Sequence, residues 1–256
     1  MQHNFQFISK HSSDVQRAYD NLQDILRQIH QNLRAQYRFQ HKIIGSYSRN
    51  LITYDTMSNI GYDFDVDISP HDGGNLTPKE IKLRFKQVLD QIATKYGYDY
   101  AEDSKRVLTI KVKDRIHSRI LYHVDFCFVK DYEDMNGSSH QEYIHFEKKQ
   151  KHYYWAEQSN SFYRLPDRIK WLKEEGLWQE LRRRYLDKKN RNNDPDKRSR
   201  SLLTEAVNEI YQQYSRQSLP QEDTPSGLWF PCTGVRVFNS SQMPLWLGEF
   251  WRQEGL

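Results

Sequence analysis

The chain has 256 residues, enough for one large domain or two modest ones with a sizeable core. Its hydrophobic fraction is only 37%, with a mean hydropathy of -0.95, so we expect its 12 Phe, 17 Tyr and 6 Trp to carry much of that core. The formal net charge of +4 favours polyanionic partners such as nucleotides or nucleic acid without requiring them.

Two sequence features bear on the cellular compartment. The two cysteines, Cys127 and Cys232, are far apart and outside any metal-ligand spacing, which argues against a disulfide framework and against a zinc site. The N-terminal sequence lacks the apolar run of a signal peptide, and no segment approaches the roughly 20 apolar residues that span a bilayer. We therefore expect a cytoplasmic protein without a membrane partner.

The first part of the chain alternates between helical and strand patterns. "SSDVQRAYDNLQDILRQIHQNL" has apolar residues at steps of three and four behind a helix start signal at Ser12, and "TPKEIKLRFKQVLDQIATKYG" is a second helical pattern that stops at Gly97. The patterns "HKII", "DFDVDIS", "RVLTIKVK" and "ILYHVDFCFV" are typical of strands. Residues 1–155 are thus predicted to form a mixed α and β core.

The second part of the chain has a different character. The stretches "LPDRIKWLKEEGLWQELRRRYLDKKNRN" and "SRSLLTEAVNEIYQQYSRQ" follow helical periodicity, which predicts a helical subdomain over 156–219. Residues 220–256 contain several Pro and Trp, and we predict an irregular tail that packs on its own core or serves a protein partner.

The segment "DFDVDIS" places three aspartates at every second position. Because side chains alternate on a strand, Asp63, Asp65 and Asp67 are expected to share one face, about 7 Å apart, while the residues between them face the core. An exposed edge strand is the ordinary explanation of such alternation. Aspartate is depleted in strands, however, and like charges at this spacing resist ionising together. We therefore favour the interpretation that these carboxylates bind a divalent cation.

A fourth aspartate lies in a later strand. Asp125 is surrounded by the apolar sequence "VDFCFV", where a lone carboxylate is costly unless it pairs with a Lys or Arg or binds a metal ion. Two carboxylates of one strand and one of the next form the oxygen-lined clamp that holds two cations about 4 Å apart for displacement at phosphorus. Mg²⁺ is the cation that such hard oxygen ligands select, with Mn²⁺ as an alternative.

A Gly-Ser pair precedes the aspartates. Gly45 and Ser46 follow the apolar "KII" at a predicted strand end, where glycine permits close approach of a phosphate and serine offers a hydroxyl and an N–H to its oxygens. Taken without the aspartates, a turn glycine explains the pair equally well.

The Gly-Ser pair, an Asp-apolar-Asp pair opening a strand, and a single Asp in a later apolar strand together resemble the DNA polymerase β-like nucleotidyltransferase superfamily. The long loop between Ser46 and Asp63, the leading helix and the helical second half are most similar to the cGAS/DncV-like group of bacterial cyclic-oligonucleotide synthases. The resemblance implies an α+β nucleotidyltransferase fold, a mixed sheet flanked by helices, followed by a helical subdomain. It also implies a role in antiviral defence.

The resemblance assigns roles to particular residues. It implies that Asp63, Asp65 and Asp125 are metal ligands and catalytic residues, with Asp67 as a polar neighbour, and that Gly45 and Ser46 contact the donor phosphates. Members of the group also hold the donor triphosphate with a helix lysine and a serine that opens the next helix. Of Lys188 and Lys189, and of Ser199 and Ser201, we assign Lys188 and Ser201 to these positions. A solvated helix face remains the ordinary explanation of the charge run from Arg182 to Arg191.

These predictions lead to three functional hypotheses. The first is an Mg²⁺-dependent nucleotidyltransferase that joins NTPs, ATP among them, into a cyclic or short linear second messenger with release of pyrophosphate. The second transfers the nucleotide to a separate protein, RNA or small-molecule acceptor. The third is a catalytically idle nucleotide-binding module that keeps the fold.

Overall fold

The computed structural model describes residues 3–59, 61–71, 74–158, 164–194 and 196–215. The strands in these ranges are β1 (Phe5–Phe7), β2 (Arg38–Ile44), β3 (Thr53–Asp55), β4 (Tyr62–His71), β5 (Glu102–Asp103), β6 (Val107–Asp114), β7 (Arg119–Glu133), β8 (Ser139–Glu147) and β9 (His152–Glu157). The helices are α1 (Ser13–Leu33), α2 (Gly45–Ser48), α3 (Pro78–Ala93), α4 (Arg164–Glu174), α5 (Trp178–Arg191) and α6 (Ser199–Ser215). The tail predicted for 220–256 lies outside the described residues.

The main sheet has the strand order β2-β4-β7-β6-β5, and β8 pairs with the C-terminal part of β7 and with β9. The strands β4 and β7 run parallel, whereas the other neighbours are antiparallel. A mixed sheet with helices packed on it confirms the predicted α+β fold class. Because β4 lies between β2 and β7, the reading of the aspartate segment as an edge strand is wrong.

The core lies between one face of the sheet and the helices α1 and α3. Phe64, Val66 and Ile68 of β4 are completely buried on this face, and the Phe85 ring of α3 lies 5.5 Å from that of Phe126 on β7. The alternation predicted for β4 is therefore confirmed, since its apolar residues face the helices. The aspartates between them point to the opposite face.

The helices α4, α5 and α6 pack on one another around a second apolar cluster, which includes Leu172, Leu181 and Val207. The first helical stretch of the second half, read as one pattern in the sequence, is split between α4 and α5. Gly176 adopts a left-handed φ of 71°, and its N–H and that of Leu177 donate to carbonyls of the last turn of α4. A glycine C-cap therefore ends α4 and redirects the chain.

None of the helices in the described part of the chain combines the length and the apolar character that a membrane span requires.

Candidate functional site: an acidic sheet face beneath a basic cavity

The aspartates of β4 and β7 lie side by side on the face of the sheet opposite α3. Asp65 and Asp125 are direct partners in the parallel register, and Asp63 is the partner of His123. The predicted position of Asp125 on the strand next to Asp63 and Asp65 is thus confirmed. Direct partners on neighbouring strands are about 4.8 Å apart, so this arrangement concentrates negative charge on a small area.

Burial and mutual repulsion act on these carboxyl groups together. Burial, and then the charges of Asp63 and Asp125, raise the pKa of Asp65 to about 7. Burial also raises the pKa of Asp125, although the Thr109 hydroxyl on β6 donates a hydrogen bond to its Oδ1 and opposes that rise. Among the described residues, Asp125 thus has a hydroxyl as its hydrogen-bond partner and no ion pair with a Lys or Arg, although the charge of Lys111 also favours its ionised form.

Asp67 has a different environment from the other two aspartates of β4. Burial raises its pKa to about 6, and the positive charge of Arg106 is the main influence that opposes the rise. Its register partners are Lys42 on β2 and Cys127 on β7, neither of which is a carboxylate, and the charge of Asp131 on β7 adds to the rise of its pKa. This placement agrees with its exclusion from the predicted ligand set.

Gly45 contacts the acidic face directly. It begins α2 immediately after β2 with a left-handed φ of 70°, and a Cβ atom added there would lie 1.8 Å from Asp65 Oδ2. Only glycine leaves room for the Asp65 carboxylate at this position. The Gly-Ser pair and the aspartates, which a loop separates in the sequence, thus lie next to each other in the folded chain.

Ser46 contributes a polar atom without a protein partner. Its Oγ is buried, and no hydrogen-bond partner for it occurs within the described residues. A buried hydroxyl in this state is costly unless a ligand satisfies it. The Oγ therefore fits a phosphate contact at the start of α2, although the role itself stays a prediction.

A basic cavity of about 340 Å³ adjoins the acidic face. Its polar lining consists of Arg49, Lys170, Lys173 and Arg200, and its apolar floor includes Leu165 and Ile169. Arg49 favours the ionised form of Asp65, and Arg200 lies within electrostatic range of both Asp65 and Asp67. The cavity thus offers cationic groups to a phosphate chain that reaches the aspartates. The sequence does not reveal this cavity, because its walls come from α4 and from segments about 150 residues apart.

The lysine of α5 that packs against the short strands β1 and β3, near Asp63, is Lys189 rather than Lys188. The Lys189 side chain is only 8% exposed, its Nζ donates to Thr53 Oγ1 at 2.7 Å and lies 4.0 Å from the centre of the Phe5 ring. Burial lowers its pKa to about 8, while the nearby charges of Asp63 and Asp55 oppose that decrease. The buried lysine is thus close to the acidic face.

Lys188 and Ser201, the helix residues assigned to the donor triphosphate, have different surroundings. Lys188 Nζ is 2.6 Å from Glu209 Oε1 and 3.5 Å from Glu205 Oε2, so the structure does not bring it to the aspartates. Ser201 lies in the first turn of α6, next to Arg200 of the basic cavity, where its N–H donates to the Arg198 carbonyl. Phosphate binding by Lys188 and Ser201 stays a prediction.

A spacing in the sequence identifies Lys189 once the packing of α5 is known. Leu181 and Tyr185 are buried on α5, and Lys189 continues their four-residue step. Because adjacent helix positions differ by about 100° in direction, Lys188 projects to another side. The four-residue spacing of buried positions therefore indicates which of the two lysines lies on the buried side of α5.

The donor set suits a hard cation in its chemistry. Three carboxylates supply oxygen ligands only, the type that Mg²⁺ and Mn²⁺ prefer. Among the described residues, however, no three Asp, Glu, His or Cys side chains are grouped closely enough to hold a metal ion. Cation binding by these carboxylates therefore stays a prediction.

No model of a known protein family matches the sequence, and no curated protein matches it. Among solved structures, the chain is similar to bacterial CD-NTases. One is the CD-NTase CdnG of Bradyrhizobium diazoefficiens in complex with GTP, with 14% identity and a TM-score of 0.40 over 67% of this chain and 41% of that one.

Two further structures show the same likeness. The DncV cyclic AMP-GMP synthase of Vibrio cholerae, with a linear pppA(3′,5′)pG intermediate, has 14% identity and a TM-score of 0.46 over 67% of this chain and 44% of that one. The STING-associated CdnE c-di-GMP synthase of Capnocytophaga granulosa has 15% identity and a TM-score of 0.49 over 78% of this chain and 60% of that one. The match thus spans less than half of the CdnG and DncV chains.

Proposed function

We propose that the chain is an Mg²⁺-dependent nucleotidyltransferase, with Mn²⁺ as an alternative cation, which joins NTPs into a cyclic or short linear oligonucleotide. The main support is the position of Asp65 beside Asp125, with Asp63 one step along the same face and Gly45 against Asp65. Three carboxylates placed together at an energetic cost, beside a buried unpaired hydroxyl, suit a site that is completed by a cation and a phosphate.

The reaction forms a bond between a sugar hydroxyl oxygen and the α-phosphorus of an NTP, while the bond from that phosphorus to the β-phosphate oxygen breaks and pyrophosphate leaves. Bound Mg²⁺ supplies charge neutralisation at the phosphates and lowers the pKa of the attacking hydroxyl. In this proposal Asp63, Asp65 and Asp125 hold the cation. Ser46 Oγ donates to a phosphate oxygen, and the backbone of Gly45 allows the phosphate to approach.

The basic cavity orients the remaining phosphates. Arg49, Arg200, Lys170 and Lys173 line this cavity and offer four positive charges to the phosphates of an NTP. The charge of Asp63 favours the ammonium form of Lys189, which contributes a further positive charge beside the acidic face. Orientation of the triphosphate by fixed cations is the main contribution that side chains make to such a transfer.

Pyrophosphate release from NTPs with Mg²⁺ and no added acceptor tests the proposal. We expect Asp65→Asn and Asp125→Asn to reduce release by at least about a thousandfold, the scale typical of lost catalytic groups. Asp67→Asn is the matched control, since it changes the same residue type on the same strand face and should retain most of the activity. Full activity of either of the first two variants contradicts the site assignment.

Analysis of the products separates the remaining hypotheses. Mass spectrometry before and after phosphatase treatment should show an oligonucleotide, and resistance to phosphatase identifies a cyclic one. Release that begins only when an RNA, protein or small-molecule acceptor is added supports transfer to that acceptor instead. NTP binding by calorimetry without any turnover supports the idle module.

A further inference from the structure

A second cavity lies away from the acidic face. It has a volume of about 460 Å³ and is lined by Lys79, Asp103, Phe146, Lys148, Lys151 and Tyr153. Lys79 comes from the first turn of α3, whereas Lys148 and Lys151 belong to the turn between β8 and β9. The volume falls within the range of small-molecule sites.

This lysine cavity is on the α3 side of the sheet. The Phe85 ring of α3 lies 5.5 Å from Phe126 and 5.1 Å from Phe128, and these residues alternate along β7 with Asp125. Since successive residues of a strand point to opposite faces, the aspartates project away from α3. A ligand in the lysine cavity is therefore separated from the aspartates by the sheet itself.

Positive charge in the lysine cavity exceeds negative charge. Asp103 is the only carboxylate of the lining, and it already binds the completely buried Lys82 at 2.7 Å and accepts a hydrogen bond from the Tyr153 hydroxyl at 2.8 Å. Within the described residues, no carboxylate lies within ion-pair distance of Lys79, Lys148 or Lys151. Three ammonium groups thus face one cavity without a counter-charge.

The wall between these lysines is aromatic. The rings of Phe146 and Tyr153 stack at 4.3 Å, and Lys82 Nζ lies behind them, about equally far from both. A low-dielectric wall strengthens the interaction of the lysines with an anion, because water screens the charges from fewer directions. Like-charged lysines held around such a wall repel one another until an anion neutralises them.

We propose that the lysine cavity binds a phosphate-bearing small molecule at a site separate from the proposed nucleotidyl-transfer centre. Lysine ammonium groups are compact charges that bind phosphate without fixed geometry, and three of them suit a ligand with more than one phosphate. The site suits a small molecule rather than an extended nucleic acid, because the three exposed lysines line one open cavity of about 460 Å³ rather than a long stripe.

Acetylation of lysines by a mild reagent, followed by mass spectrometry of the full-length chain, tests the site directly. With inorganic triphosphate as the probe in the presence of EDTA, we expect acetylation of Lys79, Lys148 and Lys151 to slow several-fold. Lys95 is the internal control, because it is exposed just beyond the other end of α3. Adenosine, which has no phosphate, should protect none of these lysines.

Three variants make the test independent of the proposed enzyme activity. Lys148→Gln combined with Lys151→Gln should weaken triphosphate protection of Lys79 roughly tenfold, in line with the loss of charged contacts, whereas Lys95→Gln should not. Asp65→Asn should keep the protection, so that failure of the nucleotidyltransferase proposal leaves this one testable. Protection of Lys170 and Lys173 reports the other cavity in the same experiment.

Three results overturn the proposal. Equal protection of Lys95 and the three cavity lysines shows a diffuse ion atmosphere. Protection by adenosine shows that phosphate is not the recognised group. Protection by a single-stranded oligonucleotide, together with none by triphosphate or ATP, shows a nucleic-acid surface instead of a small-molecule site.

Discussion

Asp65 on β4 and Asp125 on β7 are in-register partners of two parallel strands, with both carboxylates on the face of the sheet away from α3. A pair of this kind is unfavourable for the protein alone, since burial and the charges of Asp63 and Asp125 raise the pKa of Asp65 to about 7. The free energy of unfolding therefore depends on whether Asp65 is ionised. This dependence can be measured without knowing the substrate.

Asp65→Asn is expected to stabilise the metal-free protein in a pH-dependent way. The folded pKa of Asp65, about 7, is above its ordinary value of 3.8, so ionisation lowers the free energy of unfolding as pH rises from about 4 to 7. Asparagine lacks this cost. Thermal unfolding in EDTA should therefore show the variant more stable than the native chain at pH 8, with the difference shrinking toward pH 4.5.

Asp20→Asn is the control for this measurement, because Asp20 is an exposed aspartate on α1, which packs on the face of the sheet opposite to Asp65. It should leave the midpoint unchanged at each pH. A stability gain for Asp65→Asn of the same size at pH 4.5 and pH 8 contradicts the repulsion argument.

Gly45→Ala is expected to destabilise the chain much more than Gly97→Ala. Both glycines have a left-handed φ, of 70° and 81°, so alanine pays the same backbone cost of about 1 to 2 kcal/mol at each. Only at Gly45 does the new Cβ lie 1.8 Å from Asp65 Oδ2, whereas nothing lies within 4 Å of it at Gly97. Urea denaturation should show an additional loss of about 1 to 3 kcal/mol for Gly45→Ala, and equal losses for the two variants contradict the contact.

Ser46→Ala is expected to separate stability from binding. Because Ser46 Oγ is buried without a described partner, its removal should leave the thermal midpoint unchanged or slightly higher. The same variant should weaken binding of ATP with Mg²⁺ roughly tenfold, the scale of one charged hydrogen bond. Calorimetry measures the affinity.

Ser48→Ala provides the comparison on the same short helix. Its Oγ donates to the Gly45 carbonyl at 3.1 Å, so its loss should lower stability by up to about 1 kcal/mol and leave ATP affinity nearly unchanged. If Ser46→Ala lowers stability and leaves ATP binding intact, the hydroxyl is structural and the phosphate contact is wrong.

Sequence pattern was sufficient for the acidic face because that face depends on short-range periodicity. The two-residue repeat of "DFDVDIS" determines which side chains of β4 share a face, and the apolar run around Asp125 indicates a central strand. That these strands are neighbours followed only from the resemblance and from the need to neutralise charge. The register that pairs Asp65 with Asp125 is a property of the folded sheet.

The basic surroundings of the site were not predictable in the same way. Arg49 and Arg200 line one cavity only because α4 and α6 pack beside the end of α2. Lys188 and Lys189 of α5 differ by about 100° in direction. Which of them packs against β1 and β3 depends on the packing of Leu181 and Tyr185. Residues whose positions depend on long-range packing are therefore the ones that a sequence pattern does not locate.

Lys189→Met is expected to alter the pH dependence of stability. The folded pKa of Lys189, about 8, is below its ordinary value of 10.5, so the cost of burying the charge is fully present below pH 8 and disappears as pH rises toward 10.5. Methionine has a similar length and no charge to bury. The midpoint of Lys189→Met, relative to that of the native chain, should therefore fall between pH 8 and pH 10.

Lys188→Met is the matched control and should show the opposite trend. The hydrogen bond from Lys188 to Glu209 raises the pKa of the lysine above 10.5, so the pair stabilises the fold below that value and is lost as pH rises further. The variant should be slightly less stable than the native chain at pH 8, with the deficit shrinking only above pH 10.5. The difference between the two variants separates the effects of the two lysines, and parallel curves for both variants contradict the buried position of Lys189.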